Sequence, residues 1–203
     1  MLNSLTDIAP RLNSPTGTPN LPRLLLLTDE TRLVDPSTHV KDLPVGTGVI
    51  FRHYNHPNRK RLATSISAIC REKGLCLIIS EDPSLALEVN ASGLHLPEHK
   101  VLSPSNTVMS WIKYNRGITT CSCHSEKVLH LAGGLGVSGA LVSPIFPTPS
   151  HSASAGLGLK ALASLCRSSP IPIFALGGVN KKSANSVINC GVYGIAGIGG
   201  FVK

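Results

Sequence analysis

The sequence predicts an α/β protein, a (β/α)8 TIM barrel in its small single-domain form, from three observations. Short, β-rich apolar runs recur eight times, segments of helical spacing lie between them, and no hairpin signal joins one run to the next. Strands that alternate with helices pair in parallel through right-handed crossovers, and eight such units close a barrel. The size agrees: 203 residues, 42% apolar and 15% charged, suit one domain, without a disulfide or structural metal to hold it.

The first twenty residues are polar and rich in Pro, Ser, Thr and Asn, without a basic stretch followed by an apolar one. A flexible arm is therefore expected over 1–20, with no secretory signal, and the barrel over 21–203. The expected strands run from Arg23 to Thr28, Gly48 to Arg52, Leu75 to Ser80, Gly93 to Leu96, Ile118 to Ser122, Ala140 to Ser143, Ile171 to Leu176 and Gly194 to Ile198. Helical spacing covers Arg59 to Lys73, Ser84 to Asn90, Asn106 to Tyr114, Ser125 to Ala132, Leu159 to Arg167 and Asn180 to Cys190. Pro83-Ser84 and Asn180 read as helix starts, and Gly74 and Gly191 stand where helices should stop.

An open doubly wound sheet would carry a G-x-G-x-x-G loop after its first strand. The segment Leu26-Leu27-Thr28-Asp29-Glu30-Thr31 has no glycine. The glycines gather after the late strands instead, at Gly177-Gly178 and at Gly197, Gly199 and Gly200. Barrels bind phosphate at the loops after strands seven and eight, through main-chain N–H groups. Taken singly, each pair is an ordinary tight turn; together, in this part of the chain, they point to an anion.

Charge supports that reading. Nineteen Lys and Arg against eleven Asp and Glu leave a net charge of +8, and the last acid is Glu126. Any carboxylate chemistry must come from the first 126 residues, and the remainder suits an anion. Nucleic acid is not expected, because the cations are scattered and no basic stripe is interleaved with aromatic rings. A membrane span is excluded, since runs such as Leu24 to Leu27 fall far short of ~20 apolar residues. The six cysteines include no C-x-x-C pair and read as buried thiols in a reducing, cytoplasmic setting. Cys121-Ser122-Cys123-His124 has no second ligand pair at zinc-site spacing.

The chain resembles the thiamine phosphate synthase and TenI family from Leu21 onward. The residues that carry the resemblance are Leu26-Leu27-Thr28-Asp29, Leu85 to Leu96 ending in Gly93-Leu94-His95-Leu96, Ser122-Cys123-His124-Ser125, Ser143-Pro144-Ile145-Phe146-Pro147-Thr148, and Ile171 to Val179. The family fold is a small (β/α)8 barrel. Its synthases join a hydroxymethylpyrimidine pyrophosphate to a thiazole phosphate with Mg2+. Its TenI branch shifts a proton to aromatise a carboxythiazole phosphate.

The family's Gln-x-Arg-x-Lys pattern reads Ile50-Phe51-Arg52-His53-Tyr54 here, and only the arginine is kept. Ser80-Glu81 replaces an Asn-Asp pair, Lys100 replaces a metal-holding Asp, and His151 replaces a lysine. The resemblance implies that Thr148, Ser150, Gly177, Gly178, Ile198 and Gly199 hold the thiazole phosphate, joined by Ser122 and Arg52. It implies His124 as the catalytic residue, within Ser-x-His-Ser. The expected activity is TenI-like isomerisation, with no metal firmly implied. The alternatives are a divergent synthase, with Glu81, Asp82 and Glu98 as the carboxylates left for Mg2+, and a non-catalytic phosphate-binding barrel. The expected partner is the small-molecule thiazole phosphate; a homo-oligomer stays open.

Two candidates also stand on strand geometry. If the fifth strand alternates, Thr120 and Ser122 point inward, Cys121 and Cys123 face the helices, and His124 continues the inward row at the mouth. Imidazole there suits proton transfer near neutral pH, or merely a bond to a neighbouring carbonyl. Arg52 ends an apolar strand, either as an anion clamp or as the partner of Glu81 or Asp82. His53, His56, His99 and His151 are expected to be solvated loop residues.

Overall fold

A computed structural model describes residues 21–114, 116–148 and 155–198. The expected arm over 1–20 and the candidates Ser150 and Gly199 lie outside the described residues, as does His151. Eight parallel strands close a barrel in sequence order: β1 (Leu24–Leu27), β2 (Gly48–Phe51), β3 (Cys76–Ser80), β4 (Gly93–Leu96), β5 (Ile118–Cys123), β6 (Gly139–Val142), β7 (Ile173–Ala175) and β8 (Gly194–Gly197). Strand β8 returns to β1, with Leu25 opposite Ala196.

Two apolar layers explain the unbroken hydrophobic runs. Leu25, Leu27, Ile50, Ile78, Leu141 and Phe174 fill the barrel, while Leu24, Leu26, Val49, Phe51 and Ile79 pack against the helices. Both faces of each strand are buried, so alternation of polarity is suppressed. Where it survives, inside β4 and β5, it marks the site.

The helices are α1 (Pro36–Lys41), α2 (Arg59–Lys73), α3 (Pro83–Glu88), α4 (Glu98–Leu102), α5 (Asn106–Lys113), α6 (Glu126–Leu135), α7 (Gly158–Ser168) and α8 (Ala184–Ile188). Helix α2 has the expected limits and ends at Gly74, whose φ of 64° is the left-handed stop glycine supplies cheaply. Helix α3 begins on Asp82, whose carboxylate accepts from Leu85 N at 2.9 Å, with Pro83 in the first turn. Helices α1 and α4 are additional to the expected set, and six and five residues are too few for a periodic signal. Helix α8 is shorter than expected because Asn180 folds residues 180–183 into a turn, its Oδ1 accepting from Lys182 N at 2.9 Å. None of the described helices is long and apolar enough to cross a membrane.

Candidate active site

The carboxyl ends of the strands open into a cavity of about 540 Å3. Arg52, Ser122, His124, Thr148, Gly177, Gly178 and Ile198 all line it, seven residues that the sequence singles out from five different strand ends. This is the end of a barrel where catalysis occurs.

One wall is main chain. After β7 the chain passes through Gly177 and Gly178 with φ of 91° and 69°. A Cβ on Gly178 would stand 2.6 Å from Phe146 Cβ, and one on Gly177 2.9 Å from Pro144 Cα. Only glycine permits both the torsion and the approach. The loop is tied to the end of β6, Ile145 N donating to Leu176 O at 3.0 Å and Phe146 N to Gly177 O at 3.1 Å. Beside it, the buried Thr148 Oγ1 has no hydrogen-bond partner among the described residues. A buried hydroxyl left unpaired is costly, which fits an anion as its natural partner.

The opposite wall is side chain. Arg52 Nη2 meets Asp29 Oδ2 at 3.0 Å and its Nε donates to Thr28 O at 2.9 Å. The expected partners of Arg52, Glu81 and Asp82, are thus replaced by Asp29, in the loop after the neighbouring strand β1. Burial pushes the Asp29 pKa up. The hydrogen bonds from Thr31 and Arg32 and the Arg52 charge outweigh this and hold it below the usual value. Beneath Arg52, His53 is 1% exposed, stacked on Phe51 and bonded to Thr28 Oγ1 at 2.9 Å and Leu33 O at 3.2 Å. The expectation of a solvated His53 is overturned, because the chain after β2 turns inward under the β1 loop.

His124 extends the inner row of β5, and Cys121 and Cys123 face the helices as expected. Its main-chain N–H donates to Glu98 Oε2 at 2.6 Å, and its Nδ1 lies 2.8 Å from Ser143 O. A carbonyl can only accept, so Nδ1 carries the hydrogen and Nε2 is the lone-pair nitrogen of the neutral ring. The carbonyl bond that would make His124 merely structural therefore also sets the tautomer of a base.

The third strand contributes nothing to the cavity. Tyr54 Oη bonds Ser80 Oγ at 2.8 Å, and Arg59 binds Asp82 Oδ2 and Ser80 O, both at 2.9 Å, over the rings of Phe51 and Tyr54. Lys100 Nζ donates to Glu81 O at 3.1 Å. Of the carboxylates named for a metal, Asp82 caps α3 and pairs with Arg59, Glu98 holds the His124 main chain, and none of the three lines the cavity. Asp29, the carboxylate that does line it, is paired with Arg52. These residues do not fit a hard divalent cation, which takes several oxygens around one point.

Sequence reasoning did not single out Asp29, Tyr54 or His95 as site residues, yet all three line the cavity. For His95 a signal existed: it is the one polar side chain in Gly93-Leu94-His95-Leu96, between two leucines that face the helices.

A family model described as thiamine monophosphate synthase matches residues 41–201. The putative thiamine-phosphate synthase 2 of Aquifex aeolicus is 33% identical over 188 residues, covering 90% of this chain and 99% of that protein. The thiamine-phosphate synthase of Latilactobacillus sakei is 34% identical over 142 residues, 68% of this chain and 61% of that protein. Among solved structures, thiamine phosphate pyrophosphorylase from Pyrococcus furiosus superposes with a TM-score of 0.71 at 24% identity, over 88% of this chain and 86% of that one.

Proposed function

The chain belongs to the thiamine phosphate synthase and TenI family, hence to thiamine biosynthesis, and within it we propose that it binds a thiazole phosphate at the barrel mouth and isomerises it by acid–base catalysis. The observation that carries this reading is one cavity joining a main-chain wall suited to an anion to a histidine whose Nε2 has no hydrogen-bond partner among the described residues, with no part of β3 on its lining. The Gly177-Gly178 loop and the Thr148 hydroxyl receive the phosphate. Ile198, and Gly199 and Ser150 by the family pattern, complete that end. Arg52 grips the carboxylate of the ring. His124 takes a proton from the ligand at Nε2 and returns it at another carbon, while the electron pairs shift within the conjugated ring. Atoms and charge balance within one substrate.

Coupling with a pyrimidine pyrophosphate would ask for a second ligand space and for charge to neutralise the leaving group. Tyr54 and Arg59 close the corner where that space would open. The test supplies the non-aromatic carboxythiazole phosphate and follows aromatisation by ultraviolet absorbance. His124→Asn is expected to lower turnover by about 10² to 10⁴, the usual worth of one general acid or base, with ligand affinity kept. A fully active His124→Asn protein overturns the assignment. Thiamine phosphate formed from both precursors with Mg2+, at ~1 s⁻¹ or faster, favours the synthase instead.

A further inference from the structure

His95 lines the same cavity as His124 but is built differently. It faces into the barrel from β4, 3% exposed, and pairs in register with Thr120 on β5. Its Nδ1 lies 2.9 Å from Thr120 Oγ1 and its Nε2 lies 3.1 Å from Ser122 Oγ. Both ring nitrogens are engaged by hydroxyls, so the ring offers no lone pair to a ligand. Burial, helped by the Arg52 charge, pushes its pKa down to about 3, so the ring stays neutral near neutral pH. It is neither an acid nor a base for the reaction.

We infer that His95 is a positioning residue that clamps the Ser122 hydroxyl from behind, so that Ser122 meets the ring end of the thiazole phosphate in one orientation. This rests on the thiazole phosphate reading of the cavity. A serine hydroxyl turns among three staggered wells and can donate or accept. A neutral imidazole at Nε2 removes that freedom, and its tautomer decides what is left. If Nε2 accepts, Ser122 donates backward and shows only lone pairs to the cavity. If Nε2 carries the hydrogen, Ser122 accepts from it and its own O–H points forward. Arg52 in the same cavity selects an anionic ring end, and that end needs a donor. The Nε2–H form is therefore the one that works, with the enclosed Thr120 donating to Nδ1. The two histidines of one cavity then hold opposite tautomers, Nδ1–H at His124 and Nε2–H at His95.

Imidazole nitrogen NMR of the free protein tests the clamp without any ligand, with His95→Gln supplying the assignment. The expected result is a hydrogen on Nε2, a neutral ring from pH 5 to 8, and an Nε2 signal that moves in Ser122→Ala while Nδ1 does not. An Nδ1–H ring, or one that gains a proton in that range, overturns the inference. Kinetics give the second arm. Ser122→Ala and His95→Leu should each lower kcat/KM about five- to tenfold, the worth of one neutral hydrogen bond. The double variant should fall no further than Ser122→Ala. His95→Gln, whose amide can stand where Nε2 stood, should recover most of the loss and guards against a misfolded His95→Leu. Losses that multiply mean that His95 acts independently of Ser122. A protein that shows no heat of binding with thiazole phosphate refutes the cavity's reading, while the tautomer result stands or falls on its own.

Discussion

The two walls of the barrel mouth are made of different material. Around β6 and β7 the wall is main chain shaped by Gly177 and Gly178, in a part of the sequence without a carboxylate after Glu126. Around β1 to β3 it is a lattice of side chains: Arg52 on Asp29, Tyr54 on Ser80, Arg59 on Asp82. Main-chain N–H groups recognise any phosphate and tolerate change in everything but their glycines. A side-chain lattice can be rewritten one residue at a time. The departures from the family pattern on described residues, at Ile50, Tyr54, Ser80, Glu81 and Lys100, fall on this second side or on the adjoining helix α4. On the proposed reading the main-chain wall selects for a phosphate, and the lattice decides which ligand, and how many.

The largest effect is expected where the main-chain wall is broken. Gly178→Val forces a branched side chain onto a φ of 69° and into Phe146. Backbone strain of about 1–3 kcal/mol and overpacking of about 1–3 kcal/mol should together lower the urea unfolding midpoint clearly. Binding is lost along with the loop, so this variant probes the wall and not the phosphate. Thr148→Val is the cleaner probe of the phosphate. It removes a hydroxyl that has no partner among the described residues and keeps the shape, so stability should hold or rise slightly. Phosphate affinity should fall about 10- to 100-fold, the worth of a hydrogen bond to a charged group. Calorimetry that finds the affinity unchanged places the phosphate elsewhere.

The same contrast explains what the sequence made legible. The strands stand out because their outer faces and most of their inner faces are apolar, and the late loops because their glycines gather in the part of the chain without a carboxylate. His124 follows from alternation along β5, a rule that needs no knowledge of neighbours. The lattice is different, because its partners meet across loops whose paths the sequence leaves open. Arg52 could be seen to need an acid, yet Asp29 wins over Glu81 and Asp82 because Asp82 is engaged in capping α3. His53 and His95 were visible as residue types, and their burial at 1% and 3% was not. Short α1 rests on its Asp35 cap, and α4, which has no side-chain cap, rests on packing, neither of them on periodicity.

Those two buried histidines make the lattice side, with the adjoining β4, the acid-sensitive part of the mouth. The unfolded His95 takes up a proton near pH 6.5, whereas burial delays this in the folded state to about 3. Between those values the unfolded chain binds more protons, so stability falls as pH falls. At pH 5 this amounts to about 2 kcal/mol from His95. His53 acts in the same direction, its pKa lowered chiefly by burial. Urea midpoints measured from pH 7 to pH 5 should fall in the native protein and fall less steeply in His95→Gln. Equal slopes would mean that His95 is already exposed to solvent in the native state.

The smallest effect separates a wall from a participant. Tyr54 lines the cavity, so its hydroxyl could belong to the chemistry, but its bond runs to Ser80 Oγ, which is fully buried. Burial pushes the Tyr54 pKa up, which keeps the phenol protonated and unsuited to serve as a base. Tyr54→Phe deletes one hydrogen bond and leaves Ser80 without its partner, at a cost of about 1 kcal/mol in stability. The ring remains over Arg59, with the guanidinium carbon 5.9 Å from its centre, so the corner beside β3 stays closed. Turnover of the thiazole phosphate should then change less than about threefold, because the lost bond is worth ~1 kcal/mol and touches no ligand. No coupling activity should appear. A drop of a hundredfold would place the phenol among the reacting groups, and the side-chain wall would then be part of the catalyst rather than the boundary of its substrate.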